Sequence, residues 1–356
     1  MLTSQAAVHR SRKIALTAQM HEHATTFSEF DGRKIYTDPE ELVEAILTVQ
    51  NYYDFDLPIL GYDVYNIEAE ALGQSLNYRE NGSPQQSAQN TLISDSSDLP
   101  KISLPQNKDE LKQTGRFNFI LTATDLFQKK TDTLPYLQFT SPFSLAARLV
   151  GFEKFLTSLL SNPAFAHEVL EKITLDVLLP WISLQKQHFA SSDIFLGADA
   201  LASPPNLTVD MLEEFVLPYI NILKEELGEG IGIVNWWGES HVKDLENFLD
   251  LKRKISPHNE HLRIQDPDLH HINLDFLLDY VQHYDMHLTL GVSAHLLTQG
   301  DKNEIENRLE KYVPLCRELS HLTIYLCNLG RDTPPQNIEK AVNTTRQIYN
   351  NLSGGE

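Results

Sequence analysis

Cys327, within "IYLCNLGRDTPPQNIEKAV" (324–342), is either a packed thiol or a soft metal ligand, and the chain offers it companions. His21 and His23 in "MHEH" are spaced i, i+2, so in extended backbone both imidazoles leave one face, a geometry that suits a single metal ion. Glu239 in "NWWGESH" adds a carboxylate oxygen. Sulfur, imidazole and carboxylate around an open position are what a catalytic zinc needs to act as a Lewis acid on a substrate oxygen or thiolate. Asp63, Asp199 and Arg331 are the charged groups expected to do catalytic work beside it, and Trp236, Trp237, Phe27, Tyr62 and Phe143, with His295, are expected to bind an aromatic substrate. Each residue also has a structural reading. A strand-ending Asp caps helices, "HEH" suits a solvated turn, Glu239 suits a helix start, His295 suits a hydrogen-bonded loop, and free Cys is commonly buried. Convergence in one place is what would favour chemistry.

The elements that must position these residues are strands alternating with helices. Eight short apolar runs read as strands: "KIALTAQ", "LPILGYD", "LPYLQFTS", "SDIFLGAD", "GIGIVNWW", "HLRIQD", "HLTLGVSA" and "LTIYLCNLG". Longer segments with helical spacing separate them, among them "DPEELVEAILTVQNYY", "SLAARLVGFEKFLTSLL", "TVDMLEEFVLPYINILKEEL" and "NEIENRLEKYVPLCREL". Thr37-Asp38-Pro39 and Thr333-Pro334-Pro335 carry cap and first-turn signals. Eight such units predict an α/β fold, a closed (β/α)8 TIM barrel in a single domain over residues 1–356, with a polar surface excursion around 78–113. In such a barrel chemistry belongs at the C-terminal ends of the strands. Asp63, Asp199, His295 and Cys327 all fall there. No Gly-rich phosphate fingerprint follows any strand, which weakens a nucleotide-binding alternative.

Composition narrows the partners. With 29 Lys and Arg against 49 Asp and Glu, the formal charge of −20 repels phosphate backbones and anionic lipid, so neither nucleic acid nor membrane is an expected partner. The apolar stretches carry charges and fall short of a span, and "MLTSQAAVHRSRK" lacks the apolar core of a signal peptide, so a cytoplasmic location is expected. Two cysteines, Cys316 and Cys327, make no disulfide framework; Cys316 is expected to be helix packing.

Several segments in order, "ILGYDVYNIEAEALG", "FTSPFSLAARLVG", "ADALASPPNLTVDMLEEFVLPYI", "LTLGVSAHLLTQGDKNEIENRL" and "NLGRDTPPQNIEKAV", resemble the uroporphyrinogen decarboxylase superfamily, which includes corrinoid-dependent methyltransferases. The resemblance runs from about residue 13 to the C-terminus and implies a (β/α)8 barrel. Asp63 matches the decarboxylase aspartate, but the arginine-bearing "MRQAGR" loop is "MHEHAT" here and the histidine of "NLGH" is Arg331, so Asp63 is expected to have lost its partners. Relatives that methylate thiols hold zinc by an HxCG motif and a later cysteine; Cys327 stands at the latter, while Asn235-Trp236-Trp237-Gly238 replaces the former. The resemblance therefore implies a zinc-assisted methyltransferase moving a methyl group between a methoxylated aromatic or methylamine and a corrinoid carried by a partner protein. The alternatives are a tetrapyrrole enzyme of the decarboxylase type and a catalytically silent corrinoid- or tetrapyrrole-binding homologue.

Overall fold

Seven of the eight predicted strands form in the computed structural model, which describes residues 14–27, 31–80, 82–86 and 91–353. They are β1 (Ile14–Ala18), β2 (Leu137–Thr140), β3 (Phe195–Ala198), β4 (Ile231–Ile233), β5 (His261–Gln265), β6 (His287–Val292) and β7 (Leu322–Leu326). Every pairing among them is parallel. One arc runs β1-β7-β6-β5 and the other β2-β3-β4, the cyclic order of a (β/α)8 barrel with two seams. Helices cover the outside, and one apolar core extends from Ile14 to Val342. Among the described residues no helix is long and apolar enough to cross a membrane.

Side chains close both seams. Residues 57–63, expected as the second strand, form no ladder among the described residues; Pro58 has no N–H to give one. Instead Thr17 Oγ1 donates to Leu57 O (2.6 Å) and Gln138 Nε2 to Leu60 O (3.0 Å). Between β4 and β5, Lys252 reaches in from the helix Leu245–Ile255 and its Nζ donates to Trp236 O (3.0 Å) and Arg263 O (2.6 Å).

The helix signals act where predicted. Asp38 accepts from Glu40 N at 2.9 Å to start Pro39–Tyr53, and the last helix opens at Pro335. The segment 144–160 divides at Gly151, whose φ of +96° suits glycine, into Pro142–Val150 and Phe152–Ser161. The excursion around 78–113 departs from its surface reading. Ile93, Leu99, Ile102, Leu104 and Leu111 are buried in the core, and Leu92 N and Ile93 N both donate to Leu149 O. Apolar residues dispersed among polar ones pin it to the barrel, so that residues 83–86 and Thr91 wall the cavity described next.

Candidate functional site

A cavity of about 1380 Å³ opens at the C-terminal ends of the strands. Alternation along β5, β6 and β7 decides what faces it. Leu262, Ile264, Leu288, Leu290, Ile324 and Leu326 are buried outward in the core, while Arg263, Gln265, Tyr325 and, just beyond β7, Cys327 line the cavity. Gly291 lies on the same inner face: a Cβ there would stand 2.4 Å from the Gln265 Cβ and 2.7 Å from the Cys327 Sγ. Its missing side chain is what lets Gln265 and Cys327 close in on the β6 backbone.

Only part of the predicted site gathers here. Asp63, Tyr62, Trp237, His295, His21 and Cys327 line the cavity, whereas Asp199, Arg331, Trp236, Phe27, Phe143, His23 and Glu239 do not. Phe143 is core, edged by Phe155, and Phe27 packs against His23, Tyr52 and Tyr53. Arg331 is exposed outside the cavity. Trp236 is buried, with its Nε1–H donating to Asp199 at 2.9 Å.

The predicted metal ligands divide two and two. Glu239 is buried against Lys252, its ion-pair partner, and burial holds its carboxyl above the ordinary range despite that cation. His23 spends both ring nitrogens on Tyr53 OH (2.9 Å) and Gly330 O (3.2 Å). Cys327 Sγ donates to Gln265 Oε1 at 3.4 Å, and burial pushes its thiol up to about 12, with the Arg263 charge opposing. No three His, Cys, Asp or Glu side chains among the described residues are grouped as a metal site. The donor set does not fit one zinc ion, because His23 has both ring nitrogens bonded and Glu239 is paired with Lys252, both outside the cavity lining.

Asp63 is not bereft. Arg116, at the start of the helix Phe117–Thr131, clamps it with two bonds of 2.9 and 2.7 Å, and Asn66 Nδ2 adds a third at 2.8 Å. Arg116 also pairs with Glu70 and donates to Tyr36 O. A bidentate pair this shielded fixes orientation as well as charge. Asp199 is fully buried and accepts from Ser141 Oγ, Ser144 Oγ (2.8 Å), Ser144 N and Trp236. Burial raises its carboxyl to about 6, against those four bonds. It ties β3 to the helix after β2 and to the loop after β4, behind the cavity wall.

A relay on the cavity rim sets the tautomer of His21. Ser83 Oγ donates to Glu22 Oε1 (2.6 Å), so it must accept from Tyr36 OH (3.0 Å). The Tyr36 oxygen then accepts from His21 Nδ1–H at 2.8 Å. His21 Nε2 is left with its lone pair and no partner among the described residues. Burial lowers the imidazole below its ordinary value, although Glu22 and Asp63 oppose this, so the ring is neutral near pH 7.

Sequence reasoning missed Arg116, Arg148, Arg263, Tyr136 and Gln265. The last four line the cavity. Arg148 Nη2 donates to Asn66 Oδ1 while its buried Nε has no acceptor. For Arg263 and Gln265 a signal existed: "HLRIQD" alternates polar and apolar, and in a barrel buried on both faces the polar set must face the lumen.

Residues 14–348 match the family described as Uroporphyrinogen decarboxylase (URO-D). In fold the chain is similar to a methyltransferase from Methanosarcina mazei, with a TM-score of 0.74 at 15% identity over 98% of this chain and 100% of that one. No curated protein matches it in sequence.

Proposed function

The chain belongs to the uroporphyrinogen decarboxylase family, and from that premise we propose that it is a methyltransferase, moving a methyl group between a small donor of the methoxylated-aromatic or methylamine type and a corrinoid protein. One observation carries the choice of reaction: Asp63, which matches the decarboxylase aspartate, is held on both oxygens by Arg116 and Asn66, so its charge is already answered within the protein. The cationic groups on the cavity wall, Arg148, Lys154 and Arg263, are also few for a substrate carrying eight carboxylates. The fold shared with a methyltransferase supports the same reading.

When docked at the mouth, the corrinoid partner supplies the centre that exchanges the methyl group. The chain supplies the rest. Trp237 and Tyr62 offer aromatic faces for the small substrate. His21 Nε2, the unprotonated nitrogen of a neutral ring, accepts the proton that a hydroxyl or amine releases on gaining a methyl group; in the demethylation direction it first takes a proton from water and passes it to the leaving oxygen or nitrogen. The test incubates the protein with a reduced corrinoid protein and candidate ethers, amines and thiols, and follows demethylated product by mass spectrometry. Turnover is expected with an ether or amine, and His21→Ala is expected to lower it by about 10²-fold. No product from any donor class refutes the reading.

A further inference from the structure

Arg263, like Arg148, differs from the other shielded arginines of this protein, and unlike Arg148 it donates no hydrogen bond to a side chain among the described residues. Arg116 pairs with Asp63 and Glu70, Arg308 with Asp266, and Arg346 with Asp56, yet no carboxylate among the described residues pairs with Arg263. Its Nε is buried without any acceptor, and its guanidinium lies over the Tyr325 ring, 4.0 Å from the centroid. Stacking holds the plane of the group but satisfies none of its N–H donors. A partly shielded cation without a counter-ion carries its desolvation cost unanswered. Something that arrives with a ligand can remove that cost.

Two more unused donors share the cavity lining. Tyr136 OH has no hydrogen-bond partner among the described residues, and burial raises its phenol above the ordinary range, so it keeps its proton and can donate. Gln265 receives the Cys327 thiol on Oε1, which leaves its amide N–H groups free. Arg263 stands two residues before Gln265 in β5, so it lies roughly 7 Å deeper than the strand's end. Gly291, lacking a Cβ, lets Gln265 and Cys327 pack close against β6.

We propose that the cavity floor is an oxyanion subsite in which Arg263, Tyr136 and Gln265 take the carboxylate of a small substrate. The subsite stands on the donors themselves; that its ligand is the methyl-carrying substrate rests on the methyltransferase reading. A carboxylate seated on Arg263 points the far end of an aromatic acid toward the mouth, where a methoxy or amino group meets a protein-borne partner. The site thus selects methoxylated aromatic acids over their neutral analogues.

Isothermal titration calorimetry on the full-length protein, without corrinoid, tests this with 4-methoxybenzoate and 4-methoxybenzamide. The acid is expected to bind at least about 30-fold more tightly than the amide, the scale of one charge-assisted hydrogen bond. Arg263→Met should abolish the preference, and Arg263→Lys should keep part of it. Equal affinities in the wild type, binding of neither compound, or an unchanged preference in a folded Arg263→Met protein overturns the proposal. The wild-type comparison needs no variant to fold. Because no methyl transfer is measured, a selective floor with no turnover would sink the methyltransferase reading alone.

Discussion

Replacing Lys252 by Met isolates what the β4–β5 seam contributes. The ammonium and the Glu239 carboxylate are almost wholly buried, at 4% and 0% side-chain exposure, and Nζ also holds Trp236 O and Arg263 O. Glu239 Oε2 already lacks a partner, so without Lys252 the carboxylate stays neutral by taking a proton. At ~1.4 kcal/mol per pH unit, protonating a carboxyl of ordinary value 4.5 costs about 3 kcal/mol at pH 7 and under about 1 at pH 5. Two carbonyls left without their donor add about 1 kcal/mol each at either pH. The variant's folded-state carboxyl titrates above its unfolded value, so it holds more protons folded than unfolded and its deficit grows as pH rises. Urea unfolding followed by tryptophan fluorescence should give a loss of about 5 kcal/mol at pH 7 and about 3 at pH 5, relative to wild type at each pH. The double variant Lys252→Met/Glu239→Gln should lose the pH dependence. A deficit equal at both pH values would show that Glu239 is not left as a shielded acid, and the assignment of this residue to the seam would fail.

Arg116→Met leaves Asp63 and Glu70 without their shared cation and should cost about 3–5 kcal/mol in the same unfolding assay, less when combined with Asp63→Asn; a loss under about 1 kcal/mol would contradict the clamp. Acid should also act through the stacked rings of His261, His287 and His321, whose neighbouring centroids lie 5.1 and 4.7 Å apart. Burial first, then the neighbouring histidines, lowers His261 from 6.5 to about 4, so the unfolded chain binds the extra proton between those values and stability falls as pH drops from 6.5 toward 4. The slope in that window, measured by thermal denaturation, should flatten in His261→Gln, and an unchanged slope would rule the ring out as its source.

Barrel strands were legible because strands buried on both faces show as short apolar runs, and seven of eight appear where those runs lie. The exception, 57–63, has a proline at its second position, a local cue that outweighs its hydrophobicity. Helix starts were equally plain, since Asp38 and the paired prolines act within their own turn. The site was legible only in outline. His21, Trp237 and Cys327 reach the cavity because each follows a strand end, but so do Trp236 and Glu239 in sequence, and one step along the loop turns Trp236 into the core. Arg116 had no local signal at all: it meets Asp63 from 53 residues away.

Net charge does not by itself set ligand preference. A formal charge of −20 suggests a mouth hostile to anions, yet two of the four acids that line the cavity, Asp63 and Asp266, are already answered by cations, and Glu239 is answered behind the wall. Asp63 has Arg116, Asp266 has Arg308 and Tyr312 OH, and Glu239 has Lys252. Opposite charges in contact leave only a short-range dipole, and exposed acids on the outer helices are screened within about 8 Å at physiological salt. The potential inside the cavity therefore depends on the charges left unpaired on its wall, among them the Arg263 and Arg148 guanidinium groups. A chain can be strongly acidic overall and still offer an anion its most favourable seat inside, because composition counts charges while a binding site is made by those the fold leaves without a partner.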